Sequence, residues 1–215
     1  MSAKDSLNIA ALPKQPVSLR LFWQSGTVAL LVTGYSGYYL CRSNMSVTLP
    51  MIAAELASRG MDLRTARLRL GTIASAGVLA YALSKFASGS AADFLGGRRN
   101  FLTGMGGSVF FTFGFALSGA SIPVMGVMWI GNRAIQAMGW AGMVKIASRW
   151  FSRKTYGTVM AIISLSYLFG DAPARRFMAM LIGHGFGWRE VFYVAAGTSC
   201  FVPGSNLEIS LPSPQ

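Results

Sequence analysis

Acidic residues, histidine and cysteine are all scarce in this chain. Its 215 residues hold seven Asp and Glu against 19 Lys and Arg, with one His and two Cys. Cys41 and Cys200 sit in apolar segments, with no CxxC pair and no histidine at ligand spacing. That excludes a metal centre or disulfide framework and predicts two buried free thiols. No nucleophile stands beside a base and no nucleotide-binding glycine loop occurs, so neither an enzyme nor a cofactor is expected. Charge as a whole is low, at 12% of residues, against about 25% in soluble domains. An ordinary soluble domain is thereby excluded.

What is present is apolar. Hydrophobic residues make up 53% of the chain and the mean hydropathy is +0.46. The reading is an all-α polytopic membrane protein, because in hydrocarbon a helix satisfies its backbone polar groups within its own segment. The net charge of +12 would suit nucleic acid. Its basic residues, however, stand singly or in short clusters between apolar runs, where cytoplasmic loops and lipid headgroups account for them. No nucleic-acid partner is expected. The first 25 residues lack the order of a cleaved signal, since Lys4, Lys14 and Arg20 are spread out ahead of a spanning-length segment.

Six spans are predicted. The first runs from about Leu21 or Gly26 to Val47, with Pro50 marking its exit, and Glu55 to Arg69 forms a charged loop or surface helix. The others cover about Leu70–Ala92, Phe101–Gly119, Pro123–Ile146, Tyr156–Ala172 or slightly beyond, and Gly187–Phe201. Residues 1–20 then form a cytoplasmic N-terminal tail and 21–202 the six-helix unit. Pro203, Gly204, Ser205 and Asn206 break the pattern and make 203–215 an atypical, disordered tail. Arg98 and Arg99 in one loop, and Lys145, Arg149, Arg153 and Lys154 in another, place those loops and the N-terminus in the cytoplasm.

Charges inside the spans are the functional candidates. No charge occurs from Leu21 to Cys41, then comes Arg42, and none follows until Glu55. An intramembrane arginine is expensive and usually faces a bundle interior or a wet cavity; the alternative is snorkelling from a helix end. Tyr35, Tyr38, Tyr39, Arg42 and Ser46 share one helical face, a stripe of donors suited to a phosphate. Span two repeats the theme, with Tyr81, Lys85 and Ser88 one turn apart. In span four, Arg133 and Gln136 share a face. Asp171 and Arg175 can pair at the i, i+4 spacing. The single histidine, His184, lies among glycines and reads as a loop residue. Between spans two and three, GSAADFLGGRRN holds Gly89, Asp93, Arg98 and Arg99, the parts of a tight cytoplasmic hinge in which Asp93 meets a helix N-terminus or an arginine.

GYYLCRSNMSVTLP, LGTIASAGVLAYALSKFASGSAADFLGGRR, GNRAIQAMGWAG, RWFSRKTYGTVMAI and GWREVFY together resemble the organophosphate:phosphate antiporters of the major facilitator superfamily. The resemblance covers about Leu31 to Phe201. It implies that Arg42 is the first-helix arginine that binds the substrate phosphate, that Tyr35 and Tyr39 line the same pore, and that Tyr81 and Lys85 are the second-helix tyrosine and lysine. It also implies that Gly89, Asp93, Arg98 and Arg99 form the conformational loop. Ser166 falls where glycerol-phosphate members carry a pore histidine, and Arg133 where they carry an uncharged residue. The family has twelve helices in two halves and takes a second phosphate-binding arginine from the seventh, whereas the match here is to the first half.

The resemblance implies a transporter for small phosphorylated anionic solutes, multi-pass in a bacterial inner or plasma membrane, working by alternating access with inorganic phosphate as an exchange partner. Its partners are then the lipid bilayer and either a second six-helix half or a second copy. Two alternatives stand beside it: an inactive truncated or frameshifted transporter fragment, and a membrane sugar-phosphate sensor.

Overall fold

The computed structural model describes residues 17–207, which form six helices: α1 Val17–Ser58, α2 Leu63–Leu95, α3 Gly97–Leu117, α4 Ile122–Trp150, α5 Arg153–Gly183 and α6 Trp188–Leu207. No strand occurs among the described residues. At about 1.5 Å per residue, the 33 residues of α2 reach roughly 50 Å, well beyond a hydrocarbon core of about 30 Å. The helices therefore carry their charged ends out of the bilayer. By length and composition, α2 and α3 are the two that qualify as apolar enough to cross.

Local signals explain several boundaries. The Asp62 carboxylate caps α2 by accepting from the Thr65 N–H at 2.9 Å. Pro123 sits in the first turn of α4, where no N–H is required. Other boundaries depart from the sequence expectation. Pro50 does not end the first helix, and α1 continues to Ser58. The residues from Glu55 to Arg69 divide between the end of α1, a short turn and the start of α2 rather than forming a loop of their own. Likewise α5 runs through Pro173. Each proline frees one carbonyl, which packed helices and local hydroxyls tolerate in a membrane bundle. The backbone of α6 stays helical past Pro203 to Leu207, while the rest of the expected tail, and residues 1–16, lie outside the described residues.

Helix α1 packs against all five others, α3 lies along α4, and α2 along the other side of α4. The tightest approach is between α3 and α4. A Cβ placed on Gly142 would lie 2.7 Å from the Gly97 carbonyl oxygen and from the Phe101 nitrogen. The two backbones touch there, which only glycine permits. Two apolar clusters fill the bundle. One gathers Leu31, Tyr35 and Tyr39 with Phe101, Met105, Met143, Ile163 and Met178. The other gathers Met45 and Ile52 with Leu70, Phe115, Trp129, Trp188 and Phe192. Along α1 the first ends at Tyr39 and the second begins at Met45, and Arg42 occupies the gap.

The bundle surface carries Leu83, Phe86, Phe94, Phe110 and Leu117, all exposed, a pattern suited to lipid contact. At one end Glu55 ties α1 to α6. Its carboxylate accepts two bonds from Arg189 at 2.8 Å, one from Trp188 Nε1 at 2.6 Å and one from Arg59 at 2.9 Å. The bond from Arg189 is the main cause that holds the Glu55 carboxyl down, from its usual 4.5 to about 2. Cys41 is buried, as expected, and its thiol donates to Ser199 Oγ at 3.3 Å. Cys200 is exposed, which corrects the expectation of two buried thiols; it lies on an outward face of α6.

Candidate functional site: three cations around Tyr81

The stripe expected on α1 splits in two. Tyr35 and Tyr39 are buried, with ring centroids 5.6 Å apart, in edge-to-face contact. Tyr39 lies below Arg42, whose Cζ stands 5.2 Å from its ring centre. Tyr38 turns away: its hydroxyl donates to the Phe101 carbonyl at 2.6 Å, so it fastens α1 to α3. Ser46 also leaves the stripe, donating to the Ser43 carbonyl at 2.8 Å and accepting from Arg175 Nη1 at 3.0 Å. The helical period places these five residues on one broad face, and the positions of α3 and α5 divide that face.

Tyr81 of α2 is the meeting point. Arg42 Cζ is 4.7 Å from its ring centre, Lys85 Nζ 4.8 Å and Arg133 Cζ 5.4 Å. An electron-rich ring face attracts cations, but by only about 0.5 to 2 kcal/mol each. Arg42 Nε also donates to Gln136 Oε1 at 2.9 Å. Gln136 is held for that task, since its Nε2 donates to Ser108 Oγ at 3.0 Å and to Asn132 Oδ1. Asn132 in turn donates to the Ser108 carbonyl at 2.9 Å and to Thr112 Oγ1 at 2.7 Å. This buried ladder between α3 and α4 fixes which end of the Gln136 amide faces Arg42.

Three donors remain unsatisfied. Arg42 Nη2 and Arg133 Nε and Nη1 are buried without a hydrogen-bond partner. Among the described residues no ion pair reaches Arg42, Lys85 or Arg133. Asp171 is occupied elsewhere: it pairs with Arg175 at 2.8 Å, the i, i+4 pair the sequence predicted, and accepts from Ser43. An uncompensated buried charge costs several kcal/mol, and a cluster of them favours whatever anion can reach it. Such a site can hold an anion by charge and by forked hydrogen bonds, and nothing in it suits a cation.

Ser166 belongs to α5, and its side chain lies outside the described residues. None of the four residues assigned to the conformational loop is outside a helix; Gly96 between them, at φ of +80°, makes the turn between α2 and α3. Gly89 and Asp93 lie within α2, and Arg98 and Arg99 open α3. Asp93 meets neither a helix N-terminus nor an arginine. It pairs with Lys145 of α4, because the contact of Gly97 with Gly142 brings that stretch of α4 beside the turn. His184 caps the end of α5, its Nδ1 lying 2.7 Å from the Met180 carbonyl.

Gln136 and Arg133, which the sequence places on one face of span four, join the site although no ligand role is assigned to either from sequence. Gln136 was placed on a face with Arg133 but not linked to Arg42, and nothing in its local sequence shows that α3 would orient its amide. Arg133 carried a clear signal, being the third charge inside a span. A Cβ on Gly77 of α2 would fall 2.8 Å from the Trp129 ring and 2.9 Å from Arg133 Cγ. That missing side chain lets the Arg133 stem lie against α2.

The profile of the Major Facilitator Superfamily matches residues 31–204. The chain is similar to the "Glycerol-3-phosphate transporter" of Haemophilus influenzae, with 31% identity over 78% of this chain and 34% of that protein. It is similar to the "Probable hexose phosphate transport protein" of Chlamydia muridarum, with 26% identity over 85% of this chain and 38% of that protein. A third relative is the "Membrane sensor protein UhpC" of Escherichia coli, at 25% identity over 81% of this chain and 38% of that protein. The chain thus spans little more than a third of the length of the relatives it matches.

Proposed function

Since this chain belongs to the Major Facilitator Superfamily, in its organophosphate:phosphate antiporter branch and over the N-terminal half of that fold, we propose that it binds a phosphorylated organic solute at the Tyr81 cluster. Arg42 is the principal anion ligand, and Lys85 reaches the same ligand from α2. Tyr35, Tyr39 and Tyr81 supply the wall. The observation that carries this reading is the buried Nη2 of Arg42, a guanidinium donor without a hydrogen-bond partner in a cluster that no carboxylate pairs with among the described residues. Arginine grips a phosphate through parallel hydrogen bonds, which makes this chemistry the natural complement.

Transport follows if a second helical unit faces this one, so that the site opens to each side in turn about the bound anion. That unit is a second six-helix half or a second copy of this chain. The N-terminus is cytoplasmic, the membrane is the bacterial inner membrane, and inorganic phosphate is the exchange partner. The Asp93–Lys145 pair at the Gly89–Arg99 turn then lies on the cytoplasmic side, where helix ends shift as the halves rock. The test is uptake of labelled glycerol-3-phosphate and glucose-6-phosphate into vesicles holding the protein, beside Arg42→Ala. Saturable uptake that Arg42→Ala abolishes supports the proposal. A well-folded, inserted protein that binds neither ester sinks it. The similarity to a membrane sensor protein supports a second reading, in which the anion is bound and signalled without being moved; Arg42-dependent binding without uptake is its signature.

A further inference from the structure

Arg133 shares the Tyr81 ring with Arg42. It lies one turn before Gln136 on α4, and Gln136 Oε1 accepts from Arg42. The two guanidiniums are therefore brought together over one phenol ring, while the amide of Gln136 bonds Arg42 alone. Between them they leave three buried N–H-bearing nitrogens unpartnered. Among the described residues no carboxylate pairs with either, and Gln136 turns its oxygen to Arg42 because its nitrogen is committed to Ser108 and Asn132. Two guanidiniums and the Lys85 ammonium round one ring make a site whose charge one negative ligand charge does not balance.

We propose that Arg133 is a specificity-determining residue, which with Arg42 forms a two-guanidinium clamp selecting doubly charged phosphate monoesters over singly charged anions of the same shape. The clamp lies wholly within this chain, on α1 and α4. Arg42 supplies one hydrogen-bonding fork and Arg133 the other, and a tetrahedral group with three terminal oxygens can meet both. Gly77 is part of the device, since any side chain there would push Arg133 off the cluster. The inference rests on the anion-binding reading above and adds to it the charge state of the ligand.

The measurement is calorimetric binding to the full chain in lipid nanodiscs at pH 8, with glucose-6-phosphate and glucose-6-sulfate as probes. At that pH the phosphate ester carries two charges, its second pKa being about 6, and the sulfate ester carries one. The wild type is expected to prefer the phosphate ester by roughly 10- to 100-fold, the usual range for one charge-assisted pairing. Arg133→Gln should erase the preference while leaving the sulfate ester bound, and Arg133→Lys should restore part of it by returning charge without the fork. The melting temperature of ligand-free Arg133→Gln should not fall, because a buried unpaired charge is removed; a purely structural arginine would give a fall. Equal binding of the two esters by the wild type overturns the clamp and leaves the anion site standing. A preference that survives Arg133→Gln unchanged overturns it equally. Binding of neither ester to the wild type overturns both readings.

Discussion

The Glu55 knot and the Tyr81 cluster use the same side-chain chemistry to opposite ends. At the knot two arginines and an indole N–H converge on one carboxylate, and Arg189 also lies 4.2 Å over the Trp188 ring. At the cluster two arginines and a lysine converge on a phenol ring, and three guanidinium nitrogens stay empty. Satisfied charge joins helices and has nothing left to offer a ligand. Unsatisfied charge lowers stability and creates affinity. The distribution of seven acidic against 19 basic residues makes this possible, because the one acidic group near the cluster, Asp171, is spent on Arg175 and Ser43.

The contrast breaks most visibly at its two centres. Arg42→Ala should weaken phosphate-ester binding by about 100-fold, with a melting temperature equal to or above the wild type, read by calorimetry and thermal unfolding of the same samples. A fall in melting temperature with binding intact would reverse the assignment of the two regions. Glu55→Ala should do the opposite, leaving Arg189 and Trp188 Nε1 without their acceptor. It is expected to cost about 2 kcal/mol of stability and to leave ligand affinity unchanged.

Acid separates the regions without mutation. The Glu55 carboxyl is depressed in the folded protein to about 2 from 4.5. A group whose folded value is lowered stabilises fully above its unfolded value and loses that contribution as pH falls through the folded one. The knot should therefore hold unchanged above pH 4.5 and weaken between 4.5 and 2, an acid-melting step that Glu55→Gln removes. A finer cut is Gln136→Leu, which deletes the acceptor for Arg42 and the donor to Ser108. We expect roughly 10-fold weaker binding, where a lipid-face substitution such as Phe86→Leu leaves binding unchanged. The smallest effect belongs to Asp93→Asn: its pair with Lys145 is largely solvated, and exposed pairs contribute under about 1 kcal/mol. A shift in uptake rate without a shift in stability would mark that pair as part of the moving turn.

Much of the site was legible in sequence because a charge in an apolar run is an exception that needs a cause. Arg42, Lys85 and Arg133 stand out without any structure, and the tyrosines follow at helical spacing. What stayed hidden depends on neighbours far away in the chain. Tyr38 and Tyr39 are adjacent, yet one bonds Phe101 and the other lies under Arg42, because α3 packs against the flank of α1 that carries Tyr38. Asp93 was expected to meet an arginine nearby and meets Lys145 instead, 52 residues on. Pro50 is expected to end the first span and does not, since packing against neighbouring helices outweighs one lost hydrogen bond.

The sequence by itself determined that this chain is a bundle of membrane helices with single cations set inside the apolar spans of three of them. Apolar length and the cost of unpaired backbone in lipid allow few other solutions. Only the tertiary structure decided that those three cations meet at one ring, that Gln136 points its oxygen at Arg42, and that among the described residues no carboxylate pairs with them. Periodicity fixes a residue's place around its own helix. Which helix lies opposite, and whether it brings an acid, an amide or a glycine, is set by the packing of α1, α2 and α4 against one another.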